Sequence, residues 1–286
     1  MSNALINGVN LYYEVHGEGF PLIWSHEFAG DCRSWESQVR FFTRRYQVIV
    51  YNARGYPPSD VPTDLDSYSQ EHAVEDLRGL LHHLGIGQAH IGGLSMGGST
   101  ALNFGLTYPH MARSLIVAGT GTGSSDPELF RKRLEEFARR LEVEGMAGLA
   151  DYTRGPQRIQ LLRKDPKGWR EFADYFSQHS GVGSALTFRG IQGRRPPIFE
   201  LEEKFRALDV PTLIMVGDED DPCIEPSFFM KRCISRSGLV VFPQAGHTIN
   251  LEDPDQFNRT VLDFLTAVET GKWAKRDPGA ASGALV

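Results

Sequence analysis

The chain has 286 residues, 30 Lys and Arg against 36 Asp and Glu, a net charge of −6 with histidine neutral, and 41% hydrophobic residues. Such a chain buries a sizeable core, which excludes wholesale disorder, and its acidic balance lacks the positive footprint of a general nucleic-acid binder. No apolar run approaches the roughly 18 residues of a membrane span. The first residues lack the basic and then apolar regions of a secretory signal. Cys32, Cys223 and Cys233 form no C-x-x-C pair, so the expectation is a reduced, cytoplasmic protein, monomer or homodimer, without a disulfide or zinc scaffold.

Short apolar runs at Leu11–Val15, Pro21–Ser25, Gln47–Tyr51, Gln88–Leu94 and Arg113–Gly119 read as strands, each bounded by Gly, Pro, Asn or charged residues. Ala73, Leu77, Leu80, Leu81 and Leu84 recur at helical spacing, and Ser67-x-x-Gln70 predicts a capping box at that helix's start. From about 122 to 200 the pattern is helical without a convincing strand. Alternation resumes at Val210–Gly217 and Leu239–Pro243, and Asp253-Pro254 opens a last amphipathic helix. The prediction is an α/β fold: a mostly parallel sheet with helices on both faces. Its domains are a first core part, 1–121, a helical cap inserted between core strands, 122–205, a second core part, 206–273, and a disordered tail, 274–286. A cap so placed lies over the strand C-terminal edge, where open α/β sheets bind ligands.

Gly93-Leu94-Ser95-Met96-Gly97 sits where a strand meets a helix. A turn this sharp strains Ser95, and glycines on either side remove colliding side chains. The hydroxyl is left above the sheet edge, beside helix N–H groups that favour negative charge. A serine needs a base, and of nine histidines His247 alone falls on a loop between the last strand and the last helix. The base needs a carboxylate. Asp218, Glu219, Asp220 and Asp221 follow the strand ending at Gly217, in the chain order serine, acid, histidine.

These motifs, with His26, Phe28 and Trp35 after one strand and Arg54-Gly55-Tyr56-x-x-Ser59 after the next, resemble the α/β-hydrolase superfamily with a helical cap, over nearly all of residues 5–270. The resemblance implies the α/β-hydrolase fold and a serine hydrolase of small carboxylic esters or lactones, similar to enol-lactone hydrolases and other capped esterases, with no metal and no organic cofactor. C–C bond hydrolases of ring-cleavage products and cofactor-free haloperoxidases look alike at this level, and so does a slow-turnover receptor. The family's acid usually lies three residues after the glycine, which points to Asp220, with Asp221 before Pro222 as second choice. Oxyanion donors would be the N–H groups of Phe28 and Met96. His26-Glu27 departs from the family's common His-Gly. Two readings of Glu27 stand: contact with substrate or water, or an ion pair with a nearby arginine such as Arg54.

Residues 122–200 carry 14 Lys and Arg against 11 Asp and Glu. A relatively basic cap over an acidic body suits a small substrate bearing a carboxylate or an aromatic ring, and Arg154, Arg158, Arg163, Arg194 and Arg195 are its candidate contacts. Glu27, Trp35, Arg154 and Arg158 are the predicted substrate-binding residues. His26-Glu27-Phe28-Ala29-Gly30 lacks the second histidine of a zincin, and Gly119-x-Gly121-x-Gly123 lacks the spacing of a dinucleotide loop.

Overall fold

The computed structural model describes residues 2–280. Eight strands form one sheet in the order β1-β2-β4-β3-β5-β6-β7-β8. They are β1 (Ser2–Ile6), β2 (Val9–His16), β3 (Phe20–Ser25), β4 (Tyr46–Tyr51), β5 (Ala89–Leu94), β6 (Ala112–Ala118), β7 (Thr212–Gly217) and β8 (Ser237–Phe242). From β4 to β8 all neighbours run parallel, while β1 and β2 form an antiparallel hairpin at the edge. Strand β1 was not expected. Its signal is Asn7-Gly8, both with positive φ (48° and 81°), the backbone that a two-residue hairpin turn requires.

The period of two along each strand sorts its side chains onto two faces. Ile23, Ile49, Ile91, Leu115, Val117 and Ile214 pack with residues of α2 (Gln70–His83), α3 (Met96–Thr107) and α9 (Asp221–Cys233). Trp24, Val48, Val50, Ile116 and Met215 pack with α1 (Glu36–Phe42) and α11 (Pro254–Glu269) on the other face. Truncating one such side chain, Ile91 for example, would cost about 2–5 kcal/mol. The α2 helix starts later than its predicted box. Ser69 is the N-cap and accepts from His72 N–H at 3.0 Å, whereas Ser67 closes a short 3₁₀ turn capped by Asp64.

Between β6 and β7 come α4 (Pro127–Glu144), α5 (Ile159–Lys164), α6 (Pro166–Ser177), α7 (Gly181–Leu186) and α8 (Glu202–Ala207), with no strand among the described residues. Leu134, Ala138, Leu141, Phe172, Phe176 and Phe188 from this stretch pack on Phe28, Tyr56 and Tyr68 from the loops above the sheet and on Met96 at the start of α3. An apolar seat therefore holds these helices over the strand C-terminal edge. After α11, Trp273 stacks edge-on against Phe264 at 4.7 Å and exchanges hydrogen bonds with Arg236 beside β8. Of the tail from Ala274, Arg276 donates its main-chain N–H to Ser235 O at 2.8 Å and Lys275 lies 3.0 Å from Asp209. Residues 281–286 lie outside the described residues.

Candidate active site

At the end of β5, Ser95 has φ 56° and ψ −111°, a conformation that costs a non-glycine residue about 1–3 kcal/mol. The neighbouring glycines are required sterically. A Cβ on Gly97 would come 2.0 Å from Ser25 O, and one on Gly93 would come 2.3 Å from the carbonyl carbon of Gly97. The turn is pinned by Ser95 N–H donating to Ala118 O at 2.8 Å and Ser99 N–H donating to Ser95 O at 2.9 Å. The Ser95 hydroxyl opens on a cavity of about 460 Å³, which His247, Phe28, Tyr152 and Arg158 also line.

His247 is 3% exposed and its Nδ1 lies 2.8 Å from Asp220 Oδ2. An ionised carboxylate only accepts, so Nδ1 carries the proton and Nε2 is left as the acceptor. The loop is held by Glu252 in α10 (Ile249–Glu252), which accepts from the N–H groups of Gly246 at 2.8 Å and Thr248 at 3.0 Å. It is also held by Gln157, whose carbonyl accepts from His247 N–H at 2.8 Å. The Gln157 side chain donates to Asp220 Oδ1 at 2.6 Å. Burial pushes the Asp220 carboxyl up, but its electrostatic interaction with His247 and the hydrogen bonds from His247 and Gln157 outweigh it and hold Asp220 below the usual range. Burial pushes the Glu252 carboxyl up, against those backbone donors and Lys164. Sequence reasoning missed Gln157 and Glu252, because neither belongs to a motif.

Of the two acids left open, Asp220 touches His247, whereas Asp221 begins α9 and lines the cavity. Asp220, Cys223 and His247 bring possible metal-ligand atoms within 4.8 Å of one another. Their chemistry does not suit a metal. Nδ1 is committed to Asp220, and burial followed by the Asp220 charge pushes the Cys223 thiol far up, whereas a ligand must be a thiolate.

The loop after β3 is fixed from several sides. His26 Nδ1 lies 2.7 Å from Glu27 O, and its Nε2 accepts from Ala53 N–H at 3.0 Å. Burial lowers its pKa to about 4, so the ring is neutral. Tyr56 donates to Phe28 O at 3.0 Å. Phe28 N–H makes no hydrogen bond among the described residues, and Met96 N–H lies in the first turn of α3, where helix N–H groups lack intrahelical acceptors.

Three expectations change. Glu27 pairs with Arg158, not with Arg54, which Asp76 clamps at 2.6 and 2.7 Å. Glu27 meets Arg158 at the start of α5, while Arg54 meets Asp76 in α2. Trp35 is 1% exposed and stacks on Trp24 at 4.6 Å, so it belongs to the core below the site. Arg154 is exposed, lies 4.7 Å over the Trp169 ring and does not line the cavity. Arg158 does line it, with its guanidinium 4.4 Å over Tyr152.

A sequence profile of the alpha/beta hydrolase fold matches residues 21–254. The chain belongs to that family. It has the alpha/beta hydrolase fold, a mostly parallel eight-stranded sheet with helices, and its relatives are named hydrolases. It is 26% identical to 3-oxoadipate enol-lactonase 1 of Acinetobacter baylyi over 92% of this chain and 95% of the relative. Among solved structures, the enol-lactonase from Burkholderia xenovorans LB400 superposes with a TM-score of 0.83 at 26% identity, covering 93% of this chain and all of that one. A thermophilic esterase from Thermogutta terrifontis superposes at 0.84 with 27% identity, covering 93% and 98%. No helix among the described residues is long and apolar enough to cross a membrane, and all three cysteines are free and buried.

Proposed function

We propose that this hydrolase cleaves a small carboxylic ester or lactone with Ser95 as nucleophile, His247 as base and Asp220 as the acid that orients the base. The observation that carries the reading is the buried 2.8 Å contact of His247 Nδ1 with Asp220 Oδ2, at a cavity onto which the strained Ser95 opens. As Ser95 Oγ bonds to the carbonyl carbon, its proton passes to His247 Nε2 and the carbonyl oxygen takes up the negative charge. The N–H groups of Phe28 and Met96 hold that charge, which is worth several kcal/mol to the transition state. The carbon–alkoxide bond then breaks and the alkoxide leaves with the proton from His247. Water, deprotonated by His247, attacks the acyl-enzyme, releases the acid and returns the proton to Ser95.

Residues 122–205 act as the cap that shapes the pocket, and the rings of Phe28, Phe130, Phe137, Tyr152 and Phe188 lining the cavity favour an aromatic or apolar substrate body. Every group in this scheme comes from one chain, none requires a metal or organic cofactor, and the free thiols fit a reducing cytoplasm. Enol-lactonases and esterases among the relatives support the bond class. Turnover of p-nitrophenyl esters by the wild type and Ser95→Ala tests the scheme. The variant is expected to lose at least about 10³-fold in kcat, and a loss under tenfold would refute the assignment of Ser95.

A further inference from the structure

Around the sheet edge, the buried Arg54 has Asp76 beside it and the buried Arg158 has Glu27, whereas Arg195 is half-buried. Arg195 has no carboxylate within ion-pair distance among the described residues. Its Nη1 donates to Ser99 Oγ and its Nη2 to Thr122 O, each at 3.0 Å, and its guanidinium lies 5.9 Å from the Phe130 ring centroid. All three partners are neutral. Partial burial without an anion beside it lowers its pKa to about 10. The guanidinium is half-buried, and the protein supplies no anion for it.

The space beside this guanidinium is open. Arg195 and Arg131 line a notch of about 20 Å³ with Ser99, Asn103 and Ser124, and no acidic residue lines it. The notch shares Thr122, Phe130 and Gln192 with the main cavity. Its volume holds one oxygen-sized group, so a carboxylate would place one oxygen in it and leave the other at its mouth. Ser99 is four residues after Ser95 on α3, a rise of roughly 6 Å, so a few carbon atoms would bridge the reacting carbonyl and the notch. We infer that Arg195, with Arg131 beside it, forms an anion subsite that receives a carboxylate, carried by the far end of the substrate or by a small free acid. Arg is suited to this by its planar fork of donors. The inference rests on the proposed ester hydrolysis at Ser95, which places the substrate's reacting end in the main cavity.

The test compares p-nitrophenyl half esters of succinate, glutarate and adipate with neutral esters of matching length. The wild type is expected to show at least tenfold higher kcat/KM for one half ester. Arg195→Met is expected to erase that preference and leave the neutral ester within twofold, while Arg195→Lys keeps part of it. Sodium acetate distinguishes the sources: competition against the half ester in the wild type, lost in Arg195→Met, shows that a free acid docks as well, and no competition assigns the subsite to the substrate's own carboxylate. A preference that survives Arg195→Met overturns the inference, as does a wild type with no preference at any length and no response to acetate. The wild-type series and the lysine variant decide the matter even should the methionine variant not fold. Ser95→Ala separates the two readings. If it still turns over both series, the serine scheme fails; if it silences both and no preference exists, only the subsite fails.

Discussion

Glu27 Oε2 lies 4.0 Å from His247 Nε2, the nitrogen that receives the serine proton in the proposed scheme. Both side chains are buried, and Arg158 from the cap is ion-paired to the same oxygen. Glu27 Oε1 and Arg158 Nε are buried without a hydrogen-bond partner among the described residues. The loop after β3 and the cap are thus joined by one buried charge pair at the edge of the reaction centre.

Breaking that pair from one side leaves an uncompensated buried charge. Arg158→Met is expected to lower stability by about 3–5 kcal/mol, and Glu27→Gln with Arg158→Met by much less. Urea unfolding of the two single variants and the double variant gives the coupling energy. Values that simply add would contradict a shared pair.

The carboxylate also faces the imidazolium that forms during the reaction. Unit charges 4 Å apart interact by about 4 kcal/mol at an effective dielectric of 20, and Arg158 cancels most of this. Glu27→Gln is therefore expected to reduce kcat about five- to tenfold with KM nearly unchanged. Steady-state kinetics on one ester checks this, and an unchanged kcat contradicts it.

Gln157 connects the cap to the acid–base pair through Asp220 and through the His247 main chain. Gln157→Met keeps the shape and removes the donor, and kcat is expected to fall about tenfold, in line with a charged hydrogen bond worth roughly 1.5–3 kcal/mol. Gln157→Glu places a second carboxylate against Asp220, and the two cannot both ionise comfortably. Protonated, the new acid donates as the amide does; ionised, it repels. The ratio of variant to wild-type kcat should fall as pH rises, whereas a ratio flat with pH would mean that Gln157 only fills space.

Acid stability should report on Asp31. Burial pushes its carboxyl up, but hydrogen bonds from His179 and Arg33 outweigh this and hold it far below the usual range. A depressed folded pKa adds stability above the unfolded value of about 3.9, and that stability is lost as pH falls through the folded one. Asp31→Asn is expected to be markedly less stable than wild type at pH 6, with the gap narrowing below about pH 4. Thermal unfolding across pH 3–7 measures it, and a gap that widens on acidification contradicts it.

The residues of the candidate site were legible because the proposed chemistry forces a local pattern. Only a strand–helix junction tolerates Gly93-Leu94-Ser95-Met96-Gly97, and only the C-terminal strand edge brings Asp220 and His247 together from distant segments. The alternation of short apolar strands with helical stretches likewise announced a mostly parallel sheet with helices on both faces. Legibility ended where partners are chosen by three-dimensional proximity. Glu27 could pair with any arginine within reach, and packing of α5 delivered Arg158. Trp35 sits in a motif beside the site, yet its ring is claimed by Trp24 and the core. Gln157 and Glu252 hold the histidine loop through backbone groups, which leave no trace in side-chain patterning.

The most direct measurement is covalent labelling by a fluorophosphonate, followed by peptide mass spectrometry, on the wild type, Ser95→Ala and His247→Ala. The account predicts one adduct, on Ser95, absent from Ser95→Ala and formed at least about 10³-fold more slowly in His247→Ala. Folded wild type that stays unlabelled, or labelling of Ser95 that proceeds equally fast without His247, would contradict it.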